Sequence, residues 1–400
     1  MTVKIKIYTL GCKVNQYDSG KLAAELERAG FVTAERNADL AIINSCAVTK
    51  TAMVKSGHMI KLAKKENPKA KIVLAGCWPK VYKIKNDDVD FVVAGNKIGD
   101  AVKKITNYEL RIMNNVRLAT TDRARYFIKI QDGCEQYCSY CIVPYTRGKL
   151  KSRGAEEIIC EIEQAVKAGY GEIVLSGIHL GLYGKNIKTN LVNLLKKIIK
   201  IKNLGRVRLS SIEITEVTDE LIKLMAKSKK ICRHLHTPLQ AGSDKILKLM
   251  NRPYGAKYFK NKIKKIRRAM PDIAITTDII AGFPGETEKD FCDTMKLIKQ
   301  INFSRLHVFP FSAHEKTPAA KMPNRVEEKT KARRAKILRD LGVKLAEDYK
   351  NKFKGKELEI VVEQIKQNRI IGKTEFYFDV PVERERINKG FIGKIVTIKI

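Results

Sequence analysis

Strand-like and helix-like patterns of apolar residues alternate along the first 120 or so residues of the chain. Residues 3–10 alternate lysine with apolar side chains as a first strand does, and residues 16–29 have helical spacing. A lysine-rich helix ending near Glu66 and three more apolar runs continue the pattern. The runs are residues 40–43, 72–75 and 91–94. This alternation predicts an α/β fold with a doubly wound parallel sheet.

The same alternation returns on a longer scale between Arg125 and about Ser312. Helical stretches separate six strand-like runs, which are residues 126–130, 172–175, 206–209, 233–236, 274–280 and 305–309. Six β/α units predict a full or partial β/α barrel. Its working side chains should lie in the loops that follow the strands.

A different pattern follows the Pro-containing stretch 310–323. Residues 326–353 form a basic helical segment, and residues 354–400 are short β-rich runs broken by glycines. The latter predict a small all-β barrel. We therefore expect three domains, which are an N-terminal domain at 1–120, a barrel domain at 121–345 and a C-terminal β domain at 346–400.

Composition agrees with a globular protein of two or three domains. The 400 residues are 44% hydrophobic and 30% charged, which excludes disordered and fibrous classes. No segment approaches the roughly 20 apolar residues of a membrane span. We expect no membrane partner and a cytoplasmic location.

The net charge of +35 favours a polyanionic partner such as RNA. Bases exceed acids at both ends of the chain, with 21 Lys and Arg against 11 Asp and Glu in residues 1–120, and 11 against 7 in residues 351–400. This spread fits a broad nucleic-acid contact better than a single basic tail. A lysine-rich genomic composition is the alternative explanation.

Three of the nine cysteines, Cys134, Cys138 and Cys141 (the central trio), lie within eight residues directly after an apolar strand. Soft thiolates favour zinc or an iron-sulfur cluster. A structural zinc site needs four ligands, and no fourth Cys or His lies within this loop. Three thiolates on a four-iron cluster leave one iron open to a substrate or cofactor. A zinc site completed by a distant ligand is the alternative.

Cys12, Cys46 and Cys77 (the N-terminal trio) each follow a predicted strand. The carboxyl ends of parallel strands meet at one edge of a sheet, so thiols 34 and 31 residues apart can become neighbours. Small residues precede all three, and they leave room for a bulky inorganic group. The alternative is three unrelated buried thiols. The remaining cysteines, Cys160, Cys232 and Cys292, are expected to be core thiols.

The spacing of the central trio, with Tyr140 before the last cysteine, resembles the signature of the radical S-adenosylmethionine (SAM) superfamily. The resemblance implies a [4Fe-4S] cluster whose open iron chelates the amino and carboxylate groups of SAM. Electron transfer from the cluster then cleaves SAM to methionine and a deoxyadenosyl radical.

Three later loops resemble the superfamily's SAM contacts and follow the second, third and fifth barrel strands. The resemblance implies cofactor contacts near the methionine amino group, the ribose and carboxylate, and the adenine. The candidate residues are Ser176, Gly177, Ser211, Glu213, Asp278 and Gly282. A glycine-rich turn after a strand is also ordinary turn chemistry.

The order of these regions resembles the methylthiotransferases, which have an N-terminal three-cysteine domain, a radical SAM barrel and a TRAM-type β-barrel. The sequence Leu-Gly-Cys-Lys-Val-Asn-Gln at residues 10–16 most resembles the branch acting on N6-threonylcarbamoyladenosine (t6A) beside the tRNA anticodon. Directly after Cys77 this chain has Trp78-Pro79, whereas the family more often has Tyr-Ala at that position. The resemblance implies that the central cluster cleaves SAM and that a second [4Fe-4S] cluster, on the N-terminal trio, supplies sulfur.

The implied partners are the anticodon stem-loop of tRNA and a reducing electron donor such as flavodoxin or ferredoxin. RNA capture would fall to the C-terminal barrel, where the aromatic residues 376–378 could stack bases, and to a basic helix. Its bases are Lys329, Lys331, Arg333, Arg334, Lys336 and Arg339. The alternative for this helix is a solvated face.

Other functions are compatible with parts of this pattern. The same chemistry could act on isopentenyl-adenosine in tRNA or on a ribosomal protein side chain, although a basic protein target would favour an acidic C-terminal barrel. A non-catalytic iron-sulfur or zinc RNA-binding protein is a different class, but electron-transfer clusters usually have four protein ligands.

Overall fold

The structure, a computed structural model, describes residues 2–84, 86–93, 118, 123–366, 369–383 and 389–400. Their contacts divide the chain into two compact units. The first unit draws on residues 1–122, 132–150 and 312–320, and the second on residues 123–131, 151–311 and 321–400. Both cysteine trios therefore lie in the first unit. Within the described residues, no helix is long and apolar enough to span a membrane.

A parallel five-stranded sheet forms the centre of the first unit, in the order β2-β1-β3-β4-β5. The strands are β1 (Lys4–Thr9), β2 (Val32–Thr33), β3 (Leu40–Ser45), β4 (Lys71–Gly76) and β5 (Phe91–Val92). The helices are α1 (Lys13–Arg28), α2 (Lys50–Glu66) and α3 (Trp78–Val81). Residue 94 of the predicted last strand lies outside the described residues.

Helices cover both faces of this sheet. Ile42 packs in the core beside Leu26 of α1, whereas the next residue, Ile43, packs beside Ile60 of α2. Successive strand residues point to opposite faces, so a fully buried β3 supplies apolar side chains to both. The predicted α/β fold with a parallel sheet is confirmed. Helix α1 begins earlier than predicted, because Cys12 has extended backbone geometry and forms its N-cap.

The second unit contains two sheets, of orders β7-β6-β8-β9 and β10-β11-β12, in which β6 and β8–β12 are the six parallel strands and the short β7 lies at one edge. Isolated parallel bridges, Val207–Ile231 and Ser211–His236, connect β9 to the β10 region. The strands are β6 (Tyr126–Asp132), the short β7 (Lys151–Ser152), β8 (Glu172–Gly177), β9 (Arg206–Leu209), β10 (His234–His236), β11 (Ala274–Ala281) and β12 (Arg305–Pro310). All six predicted barrel strands are present, in predicted order.

Helices connect these strands. They are α4 (Val143–Arg147, in the first unit), α5 (Ala155–Lys167), α6 (Leu191–Ile198), α7 (Asp219–Lys227), α8 (Asp244–Leu249), α9 (Ala256–Ala269), α10 (Glu288–Ile301) and α11 (Glu328–Asn351). Short 3-10 helices occupy Leu180–Leu182, Lys185–Ile187, Ile214–Glu216, Pro318–Lys321 and Lys389–Phe391. The long basic helix predicted after the barrel is α11.

The C-terminal residues form an antiparallel four-stranded sheet of order β15-β14-β13-β16. The strands are β13 (Glu357–Lys366), β14 (Arg369–Thr374), β15 (Asp379–Glu383) and β16 (Ile395–Lys399). Phe376 is buried in one apolar cluster with Tyr349, Phe353 and Ala274. The Phe376 ring lies 4.5 Å from that of Phe353, so the proposed base-stacking role is wrong for this residue. Its neighbour Tyr377 stacks on His234 at 4.4 Å.

A buried ion cluster joins β8, β9 and the C-terminal sheet. The fully buried Glu172 carboxylate accepts hydrogen bonds from Arg206 (2.7 Å) and Arg208 (2.6 Å). The same guanidinium groups donate to the main-chain oxygens of Lys373 (2.7 Å) and Thr374 (2.8 Å). Burial alone would raise the pKa of Glu172, but Arg208 and Arg206 outweigh it and hold the pKa far below its usual range.

Candidate functional site

The N-terminal trio lies at the carboxyl ends of three neighbouring strands of the first sheet. Cys12 follows β1 and Cys46 follows β3, and the strand order reverses between these two strands. Cys77 follows β4 and is the N-cap of α3. In doubly wound sheets, ligands bind outside the strand ends at this reversal point. The structure thus places all three thiols where the sheet topology favours a ligand.

Two glycines let the main chain crowd around these thiols. Gly11 has φ of +99°, and a Cβ added there would lie 2.9 Å from the Cys46 sulfur. Gly76 has φ of +95°, and its Cβ would lie 2.4 Å from the oxygen of Ser45. A side chain at either position would be strained and would collide with a cysteine loop. The trio therefore has the close-packed, small-residue surroundings that a bulky cluster needs.

Asn15 contacts all three loops of the N-terminal trio. Its buried amide nitrogen donates to the main-chain oxygens of Leu10 (2.8 Å) and Ser45 (3.1 Å). Its Oδ1 atom lies 3.9 Å from the Cys12 sulfur and 4.0 Å from the Cys77 sulfur. Asn15 belongs to the sequence motif at residues 10–16, but the sequence alone does not predict its role, because that role depends on contacts between distant segments.

Arg147, at the end of α4, joins Asn15 to the segment before the central trio. Its side chain is 8% exposed and donates to Oδ1 of Asn15. The other terminal nitrogen donates to Asp18 (2.8 Å) and to Asp132 (3.1 Å). Asp132 ends β6, two residues before Cys134. Both trios are thus connected through one buried guanidinium group.

The charge of Arg147 acts on the N-terminal thiols. Burial raises the pKa of Cys46 to about 11 and also raises the pKa of Cys12, while Arg147 partly opposes both effects. Burial would lower the pKa of Arg147, but Cys77 and the two carboxylates outweigh it and raise that pKa. Nearby Lys80 has a pKa lowered by burial and by Arg147. Iron ligation requires thiolates, and a buried cation favours them.

The central trio is held by a loop that folds back on α4. The Cys134 amide donates to the oxygen of Gly148 (3.0 Å), and the Cys141 amide donates to that of Cys138 (2.9 Å). Gly133 has φ of +75°, and a Cβ there would lie 2.0 Å from the oxygen of Lys149. Cys138 is buried, whereas the other two thiols are half-buried. The loop backbone is fixed locally and leaves part of the thiol group accessible.

Neither trio forms a compact single-ion site. Among the described residues, no three His, Cys, Asp or Glu side chains are grouped so that they could hold one metal ion. A cluster differs in that each cysteine binds a different iron atom, so the sulfurs need not converge on one point. The donor types and the small surrounding residues of both trios fit such a cluster.

Two of the three loops predicted to contact SAM follow β8 and β9, in the second unit. Ser176 is buried, and its hydroxyl donates to the oxygen of Ile128 (3.1 Å). Gly177 lies against Gln131, since a Cβ there would be 2.9 Å from Oε1. Ser211 is half-buried and forms the bridge to β10. Ser176 thus supports the strand, while Gly177 and Ser211 lie at the strand ends.

Two of the remaining candidates carry charge. Glu213 is buried. Its carboxylate accepts a hydrogen bond from the main-chain amide of the next residue, Ile214, and is paired with Arg252. Burial raises the pKa of Glu213, and Arg252 opposes this shift. Asp278, on β11, lies 3.2 Å from Nε2 of His236. Gly282 has φ of +73° and donates its amide to Glu286 (3.0 Å).

A histidine group on the neighbouring strands was not predicted as a site. Nδ1 of His236 lies 2.9 Å from the Thr276 hydroxyl, and its other nitrogen faces Asp278. The His307 ring centre is 5.5 Å from that of His236. His236 ends the fourth predicted barrel strand, but the group assembles only when the three strands β10, β11 and β12 lie side by side.

Two predictions about the other cysteines are wrong. Cys160 and Cys292 are exposed, because they lie on the outward faces of α5 and α10. Cys232 is 1% exposed and is the core thiol predicted.

The basic helix α11 is also less exposed than predicted. Lys331 and Arg334 are buried, and Arg334 pairs with Glu286 (2.7 Å) and Glu288 (2.9 Å). Arg333 also binds Glu288, at 3.0 Å. Part of this helix therefore anchors the second unit rather than facing a partner.

Two protein-family models match the chain. The radical SAM superfamily model matches residues 128–298, and the model of the uncharacterized protein family UPF0004 matches residues 4–94. The first match includes the central trio and five of the six parallel strands of the second unit, β6 and β8–β11. The second includes the N-terminal trio.

Curated relatives cover nearly the whole chain. Threonylcarbamoyladenosine tRNA methylthiotransferase MtaB of Bacillus subtilis (strain 168) is 38% identical, over 99% of this chain and 93% of the relative. The tRNA-2-methylthio-N(6)-dimethylallyladenosine synthase of Carboxydothermus hydrogenoformans is 36% identical, over 98% of this chain and 96% of the relative.

A solved structure shares the fold. The radical SAM methyltransferase TsrM from Kitasatospora setae, solved with cobalamin and a [4Fe-4S] cluster bound, superposes with a TM-score of 0.61. The match covers 80% of this chain and 77% of that chain at 14% sequence identity. At this identity the likeness concerns the fold alone.

Proposed function

This chain belongs to the tRNA methylthiotransferase family of radical SAM enzymes, and from this membership we propose that it methylthiolates C2 of N6-threonylcarbamoyladenosine next to the tRNA anticodon. The observation that carries the methylthiolation chemistry is the pair of separate thiol trios in one compact unit, and the choice of nucleoside follows the relative named for threonylcarbamoyladenosine. One trio follows a β/α-barrel strand, and the other lies at the reversal point of a parallel sheet. A single-cluster radical SAM enzyme would need only the first.

The roles of the chain's residues follow from the two sites. The central trio would hold a [4Fe-4S] cluster with one iron open to SAM, and the N-terminal trio would hold a second [4Fe-4S] cluster. When bound, the two clusters supply the electron that cleaves SAM and the sulfur atom that is transferred. Tight main-chain packing at Gly11 and Gly76 holds the second set of thiols in place. The protein mainly positions these reactants.

The SAM contacts are proposed at strand ends of the second unit. Gly177 and Gly282 would act through their main chain, because glycine allows close approach of a ligand. Ser211, just after β9, and Asp278, on β11, are half-buried polar groups. Ser176 and Glu213 lie near the ends of β8 and β9, where they contact Ile128 and Arg252, and we propose them as further SAM contacts.

The reaction replaces the C2–H bond of adenine with a C2–S bond. The methyl group comes from a second SAM, and the electron for SAM cleavage comes from a donor such as flavodoxin or ferredoxin. We propose that residues 346–400 form a TRAM-like domain that binds the anticodon stem-loop, that residues 1–120 form the sulfur-donor domain and that residues 121–345 form the radical SAM domain. The antiparallel sheet β13–β16 supports a small β domain at the end of the chain.

The substrate is tested by mass spectrometry of tRNA nucleosides from a deletion strain. We expect loss of the 2-methylthio form of t6A and accumulation of t6A, with restoration by the intact gene. The relative named for dimethylallyladenosine makes that nucleoside the second candidate. Loss of its 2-methylthio form instead, with t6A modification intact, would transfer the assignment to the second candidate.

A further inference from the structure

One buried side chain, Asn15, connects the three loops of the N-terminal trio. It donates to the carbonyl groups of Leu10 and Ser45, which lie shortly before Cys12 and Cys46. Its oxygen faces the sulfurs of Cys12 and Cys77. These two donations fix the amide orientation, so the oxygen is directed to the thiols and to Arg147.

Arg147 connects this group to the central loop. Its guanidinium group binds Asn15 with one terminal nitrogen and Asp18 and Asp132 with the other. The next residue, Gly148, accepts the hydrogen bond from the Cys134 amide. A planar guanidinium with several fixed donors can hold such a junction, whereas a lysine ammonium acts as a single flexible charge.

We propose that Arg147, acting through Asn15, is a positioning residue that aligns the two cysteine trios and whose charge sets the reduction potential of the cluster on the N-terminal trio. This inference rests on the proposed function, because it assumes that the N-terminal trio binds a cluster. It adds a role for a residue that ligates neither cluster.

The expected sign of the effect follows from the charges that face this trio. Arg147 and Lys80 are cations near the thiols, and Asp18 and Asp132 are the carboxylates bound to Arg147. Net charge and hydrogen bonding near the sulfurs tune cluster potentials. Reduction adds an electron, so removing the Arg147 cation disfavours the reduced cluster, whereas removing a carboxylate favours it.

The test uses the full chain with Cys134, Cys138 and Cys141 replaced by alanine, so that only the N-terminal trio can hold a cluster. The midpoint potential is measured by a redox titration followed by electron paramagnetic resonance. We expect Arg147→Gln to lower the reduction equilibrium constant about tenfold, a shift of about 59 mV to more negative potential for one electron. Asp18→Asn should shift the potential in the opposite direction, and Arg147→Lys should remain near the parent protein.

Opposite shifts separate an electrostatic role from general damage, which would move both variants alike or broaden both spectra. The matched control is Arg36→Gln, which removes an exposed arginine of the same unit and should leave the potential unchanged. The proposal is overturned if Arg147→Gln has the parent potential, or if Arg147→Gln and Asp18→Asn shift in the same direction.

Alignment is tested in the chain with both trios intact. Arg147→Gln should still cleave SAM but should form at least about tenfold less methylthiolated tRNA per SAM cleaved, with partial recovery in Arg147→Lys. An unchanged ratio would overturn the alignment role. Failure of the proposed function would look different, since the parent protein would then bind no cluster on the N-terminal trio or modify no tRNA.

Discussion

The two cysteine trios are built in different ways. The central trio lies in one loop, and the contacts that fix it, such as Cys134 to Gly148, join residues close in sequence. The N-terminal trio comes from three strands, and residues 34 and 31 positions apart meet only when the sheet has formed. One site is therefore local, whereas the other depends on tertiary structure.

This difference suggests a different vulnerability for each site. A change that disturbs the parallel sheet should remove the N-terminal cluster and leave the central loop able to bind iron. A change within the central loop should have the reverse effect. Arg147 contacts Asn15 beside the N-terminal trio and Asp132 before the central trio, but each trio is built from its own segments.

The largest expected effect comes from removing each trio in turn. Replacing the three central cysteines with alanine should abolish SAM cleavage, because no cluster would bind SAM. Replacing the N-terminal trio should spare SAM cleavage and abolish methylthiolation, because the sulfur source is lost. Deoxyadenosine and modified tRNA are measured by mass spectrometry. Full methylthiolation by the variant without the N-terminal trio would refute the sulfur-donor role.

The glycines test the same contrast without removing a thiol. Gly76→Val should cost the protein about half of its iron and sulfide, because the side chain would collide with the oxygen of Ser45 at positive φ. Gly133→Val should instead impair the central cluster. Gly57→Ala, on the open surface of α2, is the control and should keep all of the iron. Equal loss of both clusters in Gly76→Val would show that the sites are not independent.

A change in the second unit should affect stability more than cluster content. Glu172→Gln leaves Arg125, Arg206 and Arg208 buried without their carboxylate, and we expect a loss of about 3–5 kcal/mol in the free energy of unfolding. Urea denaturation measures this. Glu220→Gln, which removes an exposed partner of Lys196, should cost less than about 1 kcal/mol.

The effect of Glu172 also has an expected pH dependence. Its pKa is lowered in the folded protein, so its stabilisation is present above the unfolded value of about 4.3 and is lost as the pH falls towards the folded value. The difference in stability between the parent protein and Glu172→Gln should be full at neutral pH and shrink below about pH 4. A difference that grew in acid would contradict this assignment.

The smallest effect is expected at the two exposed cysteines outside the trios. Cys160→Ser and Cys292→Ser should leave the iron content and methylthiolation unchanged and change stability by less than about 0.5 kcal/mol. Loss of iron in either variant would show that cluster binding extends beyond the six assigned thiols.

The sequence predicted the trio positions because strand ends can be located from apolar periodicity, and the parallel topology follows from the helix between strands. It did not predict the Asn15–Arg147 contact, which joins segments 132 residues apart. The sequence also predicted Cys292 as a core thiol, although it is exposed on α10. A shift of one residue along a helix moves a side chain to a different face, so this prediction is sensitive to small errors. Phe376 was misassigned because it lies in the turn between β14 and β15, where an apolar aromatic side chain can pack in a core as well as bind a ligand.

The main-chain carbonyl groups of Lys373 and Thr374 accept hydrogen bonds from Arg206 and Arg208. These bonds limit how freely the C-terminal segment could be replaced by another sequence during evolution. A gene fusion that replaced β14 would have to supply acceptors at the same places, or two buried cations would lose partners. Truncation before β13 would therefore not be a clean way to measure the contribution of this segment to RNA affinity. The C-terminal sheet therefore stabilises the strands of the barrel as well as forming the small β domain.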